Sequence, residues 1–392
     1  MPQVPSTHWP RVLVLWLCGI LAALQFAKIA VAFGELQAHY ATSAASVGWV
    51  LSTVGLVGLL LGVTMGLLAP LLGYRRLLLA GLLLGAGVAL LQSRLLPLPW
   101  FWASRVLEGA SHLAVVVAAP TLMAASAAPQ QRSIVMGLWS TFVGVAFALA
   151  GAFGPLFIQS LGLAALFTVH GIGLFAAALA VATLLPADAP SVLGKMSGPA
   201  LLRKHVQIYT QGTTALPGLC FFCYTAMAVA LMTFLPRQAG ADRAWLASTL
   251  PLLGVCGTFC AGWLAQAWLA PLRLARLAYG LVALCALGWG LGQWAGMAIA
   301  PLSLALMLAA GLAGGSSFAL IPALNEVVAQ QARANGAVAQ MGNLGSTLGP
   351  PCFAAALSQW GPPGLVLGVL LCAGLGTALS FWGTALQRRG QA

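Results

Sequence analysis

Lys28, Arg105, Glu108 and His112 are titratable side chains set inside long apolar runs. In hydrocarbon such a side chain faces a protein interior or a water-filled path, and it marks function by default. Arg105 and His112 are seven residues apart and so share a helical face, while Glu108 lies three residues from Arg105, within reach of it on one helix. Gln25, Lys28, Ala32 and Glu35 recur at spacings of three or four and form a second stripe. Two cations facing one cavity would attract an anion and would repel each other without one. The planar fork of an arginine suits a carboxylate or similar oxyanion. Glu108 is then the best-placed proton carrier, and His112, an imidazole, could take protons or substrate. The plainer alternatives are that Arg105 pairs with Glu108 in its own helix, that Lys28 snorkels toward the outer interface, and that His112 bridges two helices.

The elements that must hold these groups are membrane helices. Of 392 residues, 61% are hydrophobic and 6% charged, and the mean hydropathy is +0.97. Soluble domains carry roughly 25% charged residues. Apolar runs of spanning length fall at about 12–34, 47–70, 77–96, 100–125, 133–158 and 162–185, and again at about 213–235, 245–269, 274–294, 299–324, 335–357 and 362–386. Between the two sets lies the longest polar stretch. The expected organisation is an all-α integral membrane protein of twelve spans: an N-terminal six-helix half over 1–185, a cytoplasmic linker over 186–211 and a C-terminal six-helix half over 212–392. Lys28 lies about two-thirds of the way through span one, and Arg105 about six residues into span four from the opposite direction. At about 1.5 Å per residue the two reach similar depth.

Charge sets the orientation. With the N-terminus inside, twelve cations fall on the cytoplasmic side and only Arg94, Arg237 and Arg243 outside, with Lys28 and Arg105 left in spans. The positive-inside bias therefore predicts an inner or plasma membrane location with both termini cytoplasmic. This bias also accounts for the net charge of +12 without nucleic acid, since no basic block exceeds two adjacent residues. Residues 1–11 are short and polar and a full span follows, so no cleavable signal peptide is expected.

The halves echo each other. Span four runs through Pro120 to Arg132 and on to Gly151-Ala-Phe-Gly154-Pro155, and span ten runs through Pro322 to Arg333 and on to Gly345-Ser-Thr-Leu-Gly349-Pro350. Matching breaks of this kind suggest a duplicated unit with pseudo-two-fold symmetry, as in many secondary transporters. Six plus six spans, a basic central linker and this repeat resemble the major facilitator superfamily (MFS) over nearly the whole chain. The turn Gly66-Leu-Leu-Ala-Pro70-Leu-Leu-Gly73-Tyr-Arg75-Arg76 is similar to that family's loop between spans two and three, with Pro70 where the family usually has Asp. Arg105-x-x-x-Gly109 resembles its span-four arginine motif, and Gly151-x-x-Gly154-Pro155 partly resembles its span-five motif. The resemblance implies that spans one, four, seven and ten line a central cavity, that the turn motif locks helices during the cycle, and that the halves rock to give alternating access.

The expected function is secondary transport of a small, anionic organic solute, coupled to protons, by a monomer with no resident cofactor. A drug or metabolite exporter is one alternative. A copper importer is another: Cys220, Cys223 and Met227 align on one face of span seven, and soft sulfur ligands select Cu(I). No phosphate loop or acidic metal cluster is present, so neither a nucleotide-driven pump nor an enzyme is expected.

Overall fold

A computed structural model describes residues 6–128, 131–188, 206, 209–326 and 328–391. Helices account for nearly all of them: α1 (Trp9–Val31), α2 (Phe33–His39), α3 (Ala44–Leu72), α4 (Tyr74–Gln92), α5 (Leu98–Ala125), α6 (Arg132–Ser140), α7 (Phe142–Leu161), α8 (Leu163–Leu184), α9 (Gly212–Phe234), α10 (Arg243–Ala267), α11 (Pro271–Trp294), α12 (Ala300–Leu324), α13 (Val328–Trp360) and α14 (Pro362–Gln391). Proline occupies the first turn of α1, α5, α11 and α12, where its missing N–H costs nothing.

Among the described residues eleven helical segments are long and apolar enough to cross a membrane. The remaining long helix, α13, covers the expected eleventh span and is more polar, carrying Gln330, Gln331, Arg333, Asn335, Gln340 and Asn343. Two expected spans are interrupted. Span one ends at Ala32 and continues as the short α2, so Glu35 leaves the stripe of Gln25 and Lys28, and its Oε2 is buried without a hydrogen-bond partner. Span five is divided into α6 and α7 at Thr141, whose hydroxyl donates back to Leu138 O and accepts from Trp16 Nε1 at 3.1 Å.

The chain forms two compact units, Met1–Ala41 with Leu56–Lys195 and Thr42–Gly55 with Met196–Ala392, so the first part of α3 groups with the second unit. Most of the expected linker lies outside the described residues. In the first unit α1, α4, α5 and α8 meet around Leu15, Leu78, Leu82, Val115, Leu174 and Val181, all buried. In the second unit small residues bring backbones together: a Cβ on Gly349 would meet Ala226 O of α9, and one on Gly311 of α12 would meet Gly254 O of α10. Close backbone approach of this kind replaces hydrophobic driving force, which is absent between helices in lipid.

Candidate functional site in the first unit

Polar side chains of α1, α4, α5 and α8 turn inward, since lipid offers them no partner. α1 brings Gln25 and Lys28, the end of α4 brings Gln92, α5 brings Ser104, Arg105, Glu108, Ser111 and His112, and α8 brings His170. Gln25, Gln92, Arg105 and Glu108 are completely buried and Lys28 is 1% exposed.

Glu108 is the hub. Lys28 Nζ donates to its Oε1 at 2.6 Å, and Arg105 Nη1 and Gln92 Nε2 both donate to its Oε2, the latter at 2.8 Å. Lys28 Nζ also donates to Gln92 Oε1 at 3.1 Å and faces His170 Nδ1 at 3.1 Å. The other nitrogen of that ring, Nε2, is 2.9 Å from Leu21 O. A carbonyl only accepts, so Nε2 carries the hydrogen and Nδ1 of the neutral ring is an acceptor. All three ammonium hydrogens of Lys28 therefore have acceptors, on α4, α5 and α8. The Phe167 ring lies 5.1 Å from the same nitrogen.

A second branch leads from Arg105 to α1. Arg105 Nη2 donates to Gln25 O at 2.8 Å, Gln25 Nε2 to Ser111 Oγ at 3.0 Å and Ser111 Oγ to Gly81 O at 2.7 Å. Gln25 Oε1 is buried with no hydrogen-bond partner. His112, half-buried, stands 3.0 Å through Nδ1 from Ala22 O and packs edge-on against Phe26 at 5.2 Å. By the same accounting its Nε2 is free to accept. The formal charge of the buried set is two cations against one carboxylate.

The structure brings Gln25, Lys28, Arg105 and Glu108 into one network and leaves His112 at its margin, bonded to the α1 backbone. Lys28 and Arg105 do not confront each other across open space, because Glu108 stands between them. Lys28 does not snorkel; it turns into the unit. Two members escape the sequence reading. His170 reads as a packing residue on a peripheral span, and Gln92 draws no attention near the end of span three. Span three runs parallel to span one, and Gln92 lies about as far along it as Lys28 along span one.

The turn motif is organised by an acid from elsewhere. Gly66 lies in α3 with open space beside it, and Pro70 lies in the last turn of that helix. Gly73, at φ 87°, turns the chain into α4. Asp188, just beyond α8, accepts from Arg75 N through Oδ1 and from Arg76 N through Oδ2, each at 2.9 Å. Arg75 Nη2 also donates to Ala182 O at 2.8 Å. A Cβ on Gly73 would stand 2.5 Å from Asp188 Oδ2, so this residue must be glycine for contact as well as for φ. Gly154 lies where α7 crosses α1, with Val31 Cγ1 2.8 Å from where its Cβ would be, and Pro155 follows inside α7.

Cys220, Cys223 and Met227 are completely buried in α9, and Tyr279 donates its hydroxyl to Cys220 O at 2.5 Å. Among the described residues no three His, Cys, Asp or Glu side chains form a metal-ligating group.

Residues 15–350 match the family description Major Facilitator Superfamily. The chain belongs to that superfamily. Similar solved structures include a bacterial homologue of the human lysosomal transporter Spinster, inward-facing and occupied, with TM-score 0.76 and 13% identity over 96% of each chain. The same homologue, inward-facing and unoccupied, gives TM-score 0.73 and 15% identity over 96% of each chain. No curated protein matches the chain. The superfamily is one of membrane transporters, which places this protein in the bilayer with a small-molecule substrate.

Proposed function

We propose that the protein is a proton-coupled secondary transporter of a small organic anion, with both termini in the cytoplasm, in which the halves 1–185 and 212–392 rock about a 186–211 linker. The observation that carries this reading is the buried excess of cations: Lys28 and Arg105 share the single carboxylate of Glu108. An anionic solute completes that balance. A proton arriving on Glu108 turns its carboxylate into a carboxylic acid, which frees Arg105 and Lys28 for the carboxylate of the solute; loss of the proton reverses the exchange. His112, less buried than the rest, offers Nε2 at the edge of the network to the proton or the solute.

Flux into proteoliposomes across a panel of small carboxylates, with and without a pH gradient, tests the reading. The expected result is uptake of at least one anion, stimulated by the gradient and abolished by Arg105→Ala. Uptake of every transported solute intact in Arg105→Ala sinks the anion site, and flux indifferent to the gradient sinks the proton coupling.

A further inference from the structure

The two halves treat equivalent arginines differently. α4 and α11 are the third spans of their halves, and α8 and α14, the sixth spans, pack beside them. Arg76 stands three residues after the N-cap Gly73 of α4, and Arg273 stands three residues after the N-cap Ala270 of α11. In the first half the chain leaving α8 supplies a carboxylate, Asp188, which holds the Arg75–Arg76 turn. In the second half α14 stays helical through this level and carries Arg388 instead of an acid. Among the described residues neither the α4 nor the α11 arginines form an ion pair, but Asp188 caps the α4 backbone and α11 has no such cap.

One turn further along α11 lies a notch of defined shape. Gly383 of α14 lies against Leu272 of α11 and Gly376 lies against Tyr279, so the helices run antiparallel and Arg276 falls between those contacts. Its guanidinium donates from Nη2 to Thr384 Oγ1 at 2.9 Å and from Nε to Ser380 Oγ at 3.4 Å, and stacks 3.7 Å from the centroid of Phe381. Nη1 takes no partner among the described residues. Phe381, exposed by 55%, lies beside it, and Trp382, exposed by 41%, follows on α14 with one edge of its ring against Gly212. Arg273 is exposed one turn earlier on α11, and Arg388 is exposed on α14 in the i+4 series of Ser380 and Thr384. Arg276 lies about 8 Å along α11 from Pro271 at 1.5 Å per residue, about the thickness of a headgroup layer.

We infer that the Arg276–Ser380–Thr384 notch, flanked by Arg273 and Arg388, binds the phosphate of an anionic phospholipid from the leaflet at the α11 N-terminus. A guanidinium fixed by two hydroxyls and one ring is pre-oriented for a phosphate oxygen pair. Basic pockets between spanning helices are suited to anionic headgroups. Phe381 and Trp382 give the acyl chains an apolar wall.

Native mass spectrometry of the full chain in detergent, with added phosphatidylglycerol, phosphatidylcholine or glycerol phosphate, tests this. The parent chain is expected to retain phosphatidylglycerol several-fold more than phosphatidylcholine, with glycerol phosphate giving no comparable retention. Arg276→Gln is expected to lose that preference by at least about threefold. Arg273→Gln combined with Arg388→Gln changes only exposed side chains, leaves the notch folded and is expected to weaken the preference too. Equal retention of the two lipids by the parent overturns the site, as does an unchanged preference in either folded variant. Glycerol phosphate held as strongly as phosphatidylglycerol overturns the lipid as its occupant.

Discussion

At the scale of single residues, the first unit is governed by Glu108. One carboxylate serves Lys28, Arg105 and Gln92, all buried. Removing one partner from a buried ion pair costs about 3–5 kcal/mol, because the charge left behind has neither water nor counter-ion. Glu108→Gln leaves two such cations, so its unfolding free energy in detergent is expected to fall by an amount in that range. Adding Lys28→Met removes one of the stranded charges and is expected to recover part of the loss. A single variant as stable as the parent, or a double variant worse than the single, contradicts the hub role. The residues of this network were legible in the sequence as charges that needed a reason. Their partners were less so: a glutamine near a helix end and a histidine on a sixth span carry no signal of which way they turn, and only the packing of α4 and α8 against α1 settles that.

At the scale of elements, the apolar runs located the long helices to within a few residues, because hydropathy reports the length that lipid demands. The interruptions at Ala32 and Thr141 were not legible. Neither is a glycine or proline, and the Thr141 break is held by a tertiary contact, Trp16 Nε1 to its hydroxyl. The turn motif shows the same limit. The missing acid at Pro70 was plain, whereas Asp188, more than a hundred residues on, could be found only once α8 was seen beside α4. Asp188→Ala is expected to cost about 1 kcal/mol, the usual value of a lost N-terminal cap. Gly73→Ala is expected to cost more, since a non-glycine residue at positive φ costs about 1–2 kcal/mol and the new methyl meets the Asp188 carboxylate. The pair should lose less than the sum, because Asp188→Ala removes the obstacle to the methyl of Gly73→Ala. Thermal unfolding of the three variants checks this, and strict additivity would show that Gly73 and Asp188 act apart.

At the scale of the whole molecule, charge is distributed by half. Among the described residues the buried ion pairs belong to the first unit, while the deeply buried polar groups of the second are neutral, with Thr214, Ser303, Ser316, Ser317 and Asn325 among them. The cation count along the chain predicts orientation from loops alone. A C-terminal green fluorescent protein fusion is expected to fluoresce and a C-terminal alkaline phosphatase fusion to stay inactive; the opposite pattern would reverse the assignment of every loop. An acid holds the first turn of α4, and among the described residues no carboxylate pairs with the arginines of α11.

Each hydrogen of the Lys28 ammonium already has an acceptor, so its surroundings contain no redundant bond. A lone substitution at 28, 92, 108 or 170 strands a neighbour, while a matched pair restores the count. Inheritable change can pass through these positions only in compensated steps. A second-site suppressor of a Lys28 defect is therefore to be sought on α4, α5 or α8, on the three helices that hold its partners.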